Sequence, residues 1–167
     1  MSNLRKAIFL DRDGVLNKER KDYVKNISEL KIFSEIVSPI KKLKEHGFLI
    51  IIITNQSAIN RGIMTFETVQ EIHKHIQEYL EKFHIILDGF FICPHTPDEN
   101  CSCRKPKPGL ILKAIEEFKI DPKSSWMIGD NDSDVIAANS SGCKGIKIGK
   151  GIELNQAVEI ILSDSSN

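Results

Sequence analysis

The apolar run at residues 48–53 constrains the fold of this chain more than any other segment. Its side chains are mostly β-branched and show no polar alternation, and turn residues bound the run on both sides. A strand of this kind is buried on both faces, which is typical of a parallel sheet covered by helices. The run is also far too short to cross a lipid bilayer. It therefore predicts an α/β fold.

Strand and helix patterns alternate along the rest of the chain. Further strands are predicted at residues 7–10, 89–93, 125–128 and 145–148. Helices are predicted at about 38–46, 66–83, 109–119 and 154–162, and a short helix is predicted after Asp134 that reaches Ser141, with Thr65 as an N-cap and with residues from 163 onward frayed. This alternation predicts a doubly wound parallel sheet with helices on both faces. His73 and His75 lack metal-ligand spacing on their helix, and we expect both to face solvent.

The first predicted strand ends in two carboxylates and a glycine: Asp11, Asp13 and Gly14. Ligands of open α/β sheets bind at the carboxyl ends of the strands, so the two acids are placed where a site would form. Clustered carboxylates repel each other and call for a shared cation or proton, and oxygen-rich sites suit Mg²⁺. Asp and Gly also favour turns, so this motif alone is equally compatible with a structural turn.

Polar groups follow two other predicted strands as well. Thr54 and Asn55 end the second strand, and Asp130 and Asp134 follow the fourth. If the strands are parallel, these groups meet the first acids at one sheet edge, and Lys105 can add a positive charge from a proline-containing loop. Acids, a hydroxyl and a cation around one point suit phosphoryl transfer.

In that chemistry the first two acids have different tasks. Asp11 would attack phosphorus and form an aspartyl-phosphate, and Asp13 would protonate the leaving alkoxide and then activate water. Mg²⁺, held by Asp11 and Asp130, and Lys105 would neutralise charge on the transferred group.

These segments, in this order, resemble the four motifs of the haloacid dehalogenase (HAD) superfamily. The matching residues are Asp11-x-Asp13-Gly14, Thr54, Lys105 and Gly129-Asp130-x-x-x-Asp134. The resemblance implies a Rossmann-like HAD fold without a large cap domain. It also implies that Asp11 is the nucleophile and Asp13 the acid/base, that Thr54 and Lys105 bind phosphate, and that Mg²⁺ is held by Asp11, Asp13 (through its backbone carbonyl) and Asp130.

Finer features resemble one branch of the superfamily, the D-glycero-D-manno-heptose 1,7-bisphosphate 7-phosphatases, and the related histidinol-phosphate phosphatases. They are residues 10–17, 22–24, 54–57, Arg61-Gly62 and 101–106. The resemblance implies Mg²⁺-dependent removal of the 7-phosphate from the heptose bisphosphate, with Asn55 and Arg104 as substrate contacts. Asn131 stands where that branch usually has a lysine, so histidinol phosphate or another small sugar phosphate is the alternative substrate.

Three cysteines and a histidine lie close together in sequence: Cys93, His95, Cys101 and Cys103. This set suits a structural tetrahedral Zn²⁺, although the spacing is tighter than in most zinc sites. The resemblance also implies a zinc at this position, because that family carries a loop zinc with these ligand types. We expect a zinc-binding loop at about residues 93–105 that presents Arg104 and Lys105, and we expect Cys143 to be a small buried residue.

Size and charge limit the classes of partner. The chain has 167 residues, with 23 basic and 23 acidic side chains. This predicts a single phosphatase domain over residues 1–167 and gives no electrostatic reason to expect nucleic acid or a membrane as partner. We expect a monomer acting on a small phosphorylated metabolite. Residues 1–6 lead straight into the first strand without room for a signal peptide, so we expect a cytoplasmic protein.

A non-catalytic reading is the alternative from a different class. A receiver-like or zinc-stabilised binding module could keep the same sheet, since receiver domains also combine an acidic cluster with a threonine and a lysine. Such a module needs neither the paired acids Asp11 and Asp13 nor a cysteine loop. Loss of turnover on replacing Asp13 would therefore favour the phosphatase hypothesis over the binding-module hypothesis.

Overall fold

The computed structural model describes residues 3–165 and contains one five-stranded sheet. Its strands are β1 (Ala7–Leu10), β2 (Leu49–Asn55), β3 (Gly89–Cys93), β4 (Trp126–Gly129) and β5 (Lys144–Lys147). The strand order is β3-β2-β1-β4-β5, and every pair is parallel. The predicted α/β class and doubly wound parallel sheet are confirmed.

Within residues 3–165, four α-helices lie between the strands and a fifth follows β5. They are α1 (Val37–Glu45), α2 (Phe66–Glu81), α3 (Gly109–Phe118), α4 (Asp132–Ser140) and α5 (Leu154–Asp164). Thr65 caps α2 as predicted, because its side chain accepts a hydrogen bond from the Thr68 N–H. The last helix continues two residues beyond its predicted end, to Asp164. Residues 1, 2, 166 and 167 lie outside the described part, so fraying after that point is not tested there.

Alternate residues of β1 and β2 face two separate apolar cores. Ile8, Leu10, Ile50 and Ile52 pack with α1, α2 and α5 on one side of the sheet. The intervening residues, Ala7, Phe9, Leu49, Ile51 and Ile53, pack with α3 and α4 on the other. Both faces of the central strands are therefore covered, which explains why the run at 48–53 is apolar at every position.

The connections place the site at the centre of the sheet. From β1 the chain passes to β2 and β3 on one side, and β4 then lies on the other side of β1. The carboxyl ends of β1 and β4 consequently form the switch point at which open α/β sheets bind ligands. No large cap domain is inserted between the elements of residues 3–165. Within the same residues, no helix combines the length and apolar character that a membrane span requires.

One side-chain prediction is wrong. His75 is exposed, as expected, but His73 is buried with 4% of its surface accessible. Its ring stacks on Phe90 with centroids 4.5 Å apart. His73 lies one turn after the buried Val69 and one turn before the buried Ile76, so it belongs to the apolar face of α2.

Candidate active site

A cavity of about 620 Å³ opens at the carboxyl ends of β1, β2 and β4. Acidic side chains line its floor, whereas the rim carries several cations. The floor and walls include Asp11, Arg12, Asp13, Asn55, Gln56, Arg104, Lys105, Asp130 and Asp134, and the rim includes Arg20, Lys21, Tyr23 and Arg61.

Three carboxylates converge on the floor of this cavity. Asp11, Asp130 and Asp134 each offer an oxygen, and these oxygens lie within 4.8 Å of one another. Burial raises the pKa of Asp11 to about 7; Lys105 opposes the rise, and Asp134 adds to it. Burial and Asp134 also raise the pKa of Asp130. The three carboxylates, called the acid group below, therefore carry more negative charge than the neighbouring cation balances. Their oxygen atoms fit a hard divalent cation such as Mg²⁺.

Two glycines leave the room that these carboxylates occupy. A Cβ on Gly14 would lie 2.0 Å from Asp130 Oδ2, and one on Gly129 would lie 2.2 Å from Asp134 Cγ. Gly14 also has a φ of +82°, which side-chain-bearing residues rarely adopt. The turn after β1 therefore requires glycine for two independent reasons.

Lys105 lies within the acid group and is 4% exposed. Its Nζ is 2.9 Å from Asp11 Oδ1, 2.7 Å from Asp134 Oδ1 and 2.8 Å from the Ile53 carbonyl oxygen. Burial alone would lower the pKa of Lys105, but the two carboxylates raise it above its usual value. The residue is therefore a buried cation that holds Asp11 in place.

Asn55 fixes the loop that carries this lysine. Its Oδ1 accepts the Lys105 N–H at 3.1 Å, and its Nδ2 donates to the Lys105 carbonyl oxygen at 3.1 Å. Both ends of the amide are therefore engaged with backbone. Asn55 lines the cavity, as expected for a substrate contact, and it also ties the end of β2 to the cysteine loop.

The Asp13 carboxylate turns away from the acid group and is bound by three side chains. Arg12 Nη2 and Asn17 Nδ2 both donate to Oδ1 at 2.9 Å, and Gln56 Nε2 donates to Oδ2 at 2.9 Å. Burial would raise its pKa, but the charge of Arg12 and these hydrogen bonds outweigh burial and lower it. Asp13 is thus an ionised, firmly oriented carboxylate, and its carboxyl group stands outside the three converging acids.

Thr54 is fully buried at the end of β2. Its Oγ1 accepts a hydrogen bond of 2.8 Å from Gln56 Nε2, the same nitrogen that donates to Asp13. Because the hydroxyl oxygen is used as an acceptor, its hydrogen can point to a phosphate oxygen.

The four predicted zinc ligands come together beside the cavity. Cys93 Sγ lies 3.7 Å from Cys101 Sγ and 3.2 Å from Cys103 Sγ, and His95 Nδ1 lies 3.5 Å and 3.2 Å from the sulfurs of Cys93 and Cys103. All three cysteines are free thiols. Burial and the neighbouring sulfurs raise the pKa of Cys93, so a cation is needed to stabilise its thiolate. The donor set fits a tetrahedral Zn²⁺.

Arg104 is held by the same loop. Its N–H donates to Cys101 Sγ at 3.3 Å, and its Nη1 donates to the His95 carbonyl oxygen at 3.2 Å. The cysteine cluster therefore fixes both the backbone and the guanidinium of Arg104 at the wall of the cavity.

Four charged residues hold the rim of the cavity, which we call the rim ion ring: Arg20, Asp22, Lys25 and Glu29. Arg20 and Lys25 each contact both acids, at distances from 2.8 to 3.7 Å. Tyr23 lies between Asp22 and Lys25 in this segment; its φ is +65°, and it also lines the cavity. The segment after β1 therefore forms a turn that is stabilised by ion pairs.

Six of the sequence-predicted residues line this cavity: Asp11, Asp13, Asn55, Arg104, Lys105 and Asp130. Thr54 is fully buried and is not among the lining residues, and the cysteine cluster lies beside the cavity. Four further functional candidates were not predicted to have a role. Arg12, Asn17 and Gln56 hold Asp13, and Asp134 pairs with Lys105. Arg12 and Asn17 belong to the segment that follows β1, and Gln56 follows Asn55 directly. Their closeness in sequence to the predicted site residues could have pointed to them. Which side chain each of them contacts, however, depends on the folded backbone.

Comparisons with known proteins agree with this geometry. A HAD-hydrolase-like family model matches residues 102–161. D-glycero-beta-D-manno-heptose-1,7-bisphosphate 7-phosphatase of Helicobacter pylori is 43% identical over 143 residues, which cover 85% of this chain and 82% of that protein. The histidine biosynthesis bifunctional protein HisB of Legionella pneumophila is 33% identical over 163 residues, or 97% of this chain and 46% of that protein.

A solved structure shares the whole fold. The D,D-heptose 1.7-bisphosphate phosphatase from B. bronchiseptica, crystallised with magnesium and phosphate, has a TM-score of 0.85 and 28% sequence identity. The match covers 95% of this chain and 99% of that one.

Proposed function

Because the chain belongs to the D-glycero-D-manno-heptose-1,7-bisphosphate 7-phosphatase family of HAD-like phosphatases, we propose that it removes the 7-phosphate of a heptose 1,7-bisphosphate. The observation that carries this proposal is the contact between the buried cation of Lys105 and Asp11, with the separately held Asp13 two residues further along. An oriented nucleophile and an independently oriented acid/base are what phosphomonoester hydrolysis through a covalent intermediate requires.

The metal that fits the acid group is Mg²⁺. Asp11 and Asp130 would hold it, together with the Asp13 backbone carbonyl, and Asp134 supports the group through its contact with Lys105. When bound, Mg²⁺ neutralises charge on the phosphoryl oxygens and on the attacking carboxylate.

Hydrolysis proceeds in two half-reactions. In the first, an Asp11 oxygen attacks phosphorus, the bond to the sugar oxygen breaks, and Asp13 gives that oxygen a proton. In the second, Asp13 takes a proton from water, which attacks phosphorus and releases Asp11. The phosphate dianion raises the pKa of Asp13 on binding, because like charges disfavour the ionised form, and this favours the proton uptake that the first step needs.

Two groups act on the transferred phosphoryl group. The Thr54 hydroxyl donates its hydrogen to a phosphate oxygen, because its lone pair already accepts from Gln56. The three hydrogen-bond donors of the Lys105 ammonium group are used by three protein contacts. Lys105 therefore acts through its positive charge beside Asp11 and by holding that carboxylate in its orientation. Both interactions stabilise charge that develops during transfer.

The part of the substrate outside the transferred phosphoryl group contacts the cavity walls. Arg104 and Asn55 are the proposed substrate contacts, and Lys21 and Arg61 add positive charge at the rim. These groups suit an anionic second substituent on the substrate. The HisB match and Asn131, in place of the lysine usual in the heptose branch, favour histidinol phosphate as the second candidate.

The zinc loop at about residues 93–105 is proposed to be structural. A Zn²⁺ held by Cys93, His95, Cys101 and Cys103 fixes the segment that carries Arg104 and Lys105. Residues 3–165 then form one phosphatase domain. In place of a cap domain, the zinc loop forms the wall that faces the substrate.

We expect Cys101→Ser to lower the bound zinc from one equivalent to well below one and to reduce kcat/KM by roughly tenfold or more, because a loosened loop misplaces Lys105. Elemental analysis and phosphate release measure the two effects. The matched control is Cys143→Ser, which alters a buried cysteine outside the cluster and should retain full zinc. Full zinc content in Cys101→Ser would contradict this ligand assignment.

The substrate is tested by phosphate release with Mg²⁺ from both anomers of heptose 1,7-bisphosphate, from histidinol phosphate and from simple sugar phosphates. We expect one heptose bisphosphate to give a kcat/KM of about 10⁴ M⁻¹s⁻¹ or above, as is typical of evolved enzymes. A preference for histidinol phosphate would transfer the proposal to the second candidate. No release from any of them by folded, metal-loaded protein would favour the binding-module alternative.

A further inference from the structure

Two buried polar side chains lie behind Asp13 without a part in the proposed chemistry. Arg12 is 1% exposed and His73 is 4% exposed. The Arg12 guanidinium spans the two, with Nη2 2.9 Å from Asp13 Oδ1 and Nη1 3.4 Å from His73 Nε2. A side chain on helix α2 is thereby connected to the acid/base through one arginine.

The chemistry of arginine fixes the state of this histidine. A guanidinium has only donors, so His73 Nε2 must accept, and the ring carries its single proton on Nδ1. Burial, followed by the charge of Arg12, lowers the pKa of His73 to about 3. His73 is therefore a neutral acceptor throughout the range in which a phosphatase works.

The acceptor is held rigidly. The His73 ring stacks on Phe90 of β3 with an interplanar angle of 17°. Val69, Ile72 and Ile76 of the same helix face are buried around it. Its Nε2 consequently has one well-defined position relative to the sheet.

Arg12 has few alternatives to this acceptor. Among the described residues, the polar contacts of its side chain are those with Asp13 and His73, and its buried Nε has no hydrogen-bond partner. Losing an acceptor would leave more of a buried cation unsatisfied, which is costly, so the guanidinium would reorient. Asp13 would lose part of its orientation, although Asn17 and Gln56 still hold it.

We infer that His73 is a positioning residue for the acid/base: by accepting from Arg12, it sets the guanidinium against Asp13 and so aims the proton that Asp13 delivers. This inference rests on the proposed role of Asp13. It predicts that replacing His73 lowers kcat/KM more for a substrate whose leaving group must be protonated than for one whose leaving group departs without a proton.

The test replaces His73 by phenylalanine, which keeps a ring for stacking on Phe90 but has no acceptor. We expect kcat/KM for the preferred sugar phosphate to fall roughly tenfold to a hundredfold, the scale of a misplaced catalytic group. With p-nitrophenyl phosphate, whose leaving group departs without a proton, kcat/KM should change less than about twofold. The parameter kcat/KM is used because it covers the steps up to leaving-group departure and excludes the later attack of water.

A second variant separates positioning from general damage. His73→Gln places an amide oxygen near the position of Nε2, and it should recover most of the lost kcat/KM on the sugar phosphate. His75→Phe and His75→Gln make the same changes at an exposed position of α2 and should match the wild type on both substrates. Asp13→Asn gives the upper limit of the effect, roughly 10²–10⁴-fold for loss of a general acid.

The outcomes distinguish failure of this inference from failure of the proposed function. Equal losses on both substrates, no loss on either, or no recovery with His73→Gln would each overturn the inference while the wild type remains a phosphatase. Wild-type protein that hydrolyses neither substrate, or an Asp13→Asn variant with unchanged turnover of the sugar phosphate, would instead overturn the proposed function.

Discussion

Replacing Asp11 by asparagine is expected to reduce phosphate release by roughly 10⁴-fold or more, because an amide cannot attack phosphorus and the covalent route is lost. The change is nearly isosteric, and the Lys105 contact falls on the Asp11 oxygen that remains as an amide carbonyl in a suitable orientation. The loss should therefore appear in kcat for every phosphomonoester tested, whatever its leaving group.

The same variant should also change how stability depends on pH. Burial raises the pKa of Asp11 from 3.8 to about 7, so its ionised form is disfavoured in the folded protein. A raised carboxyl pKa means that the wild type loses stability as pH rises from about 4 to 7, and asparagine removes that loss. Without metal, the Tm of the variant minus that of the wild type should rise over this range and level off above pH 7.

Thermal unfolding in EDTA at several pH values and steady-state phosphate release measure the two effects. The control is Asp132→Asn, which changes an acid of α4 that is paired with Lys147 and whose side chain is 82% exposed. It should leave kcat within about twofold, as expected for a surface position. Substantial turnover by Asp11→Asn would remove Asp11 from the nucleophile role.

Lys105→Met is expected to impair both activity and folding. It leaves Asp11 and Asp134 without their shared cation, and breaking a buried ion pair typically costs about 3–5 kcal/mol of unfolding free energy. Catalysis should fall roughly 10²–10³-fold, since the charge beside the transferred phosphoryl group is lost. Lys105→Arg should recover part of the stability but little activity, because a planar guanidinium does not fit the three contacts of an ammonium.

Denaturant unfolding and kcat/KM measurements check this result, with Lys74→Met as the control for loss of one positive charge. Lys74 is 77% exposed on α2 and has only a loose contact of 3.8 Å with Glu78. A Lys105→Met protein with wild-type stability would show that the two carboxylates share protons rather than depend on the lysine.

The parts of this site that follow strands could be predicted from the sequence. Asp11, Thr54 and Asp130 come directly after or at the end of β1, β2 and β4, and parallel pairing brings such positions to one edge without further information. The clustering of Cys93, His95, Cys101 and Cys103 was likewise predictable, because these four candidate ligands are close in sequence.

The contacts between distant side chains could not be predicted in the same way. His73 was expected to face solvent because its spacing from His75 does not suit metal ligands, yet the period of α2 places it inside, where it contacts Arg12. The contact of Asp134 with Lys105 joins helix α4 to the cysteine loop, two segments that are well separated in sequence. Such pairings are set by packing between elements, which local patterns do not encode.

The rim ion ring and the buried acids beneath it differ in how well they tolerate substitution. Arg20, Asp22, Lys25 and Glu29 form ion pairs at or near the surface, and screening by solvent keeps the contribution of such pairs to stability small. Substitutions there can accumulate at little thermodynamic penalty, whereas the buried acids beneath tolerate almost none. A lineage can therefore explore new substrates at the rim while its bond-breaking chemistry stays unchanged.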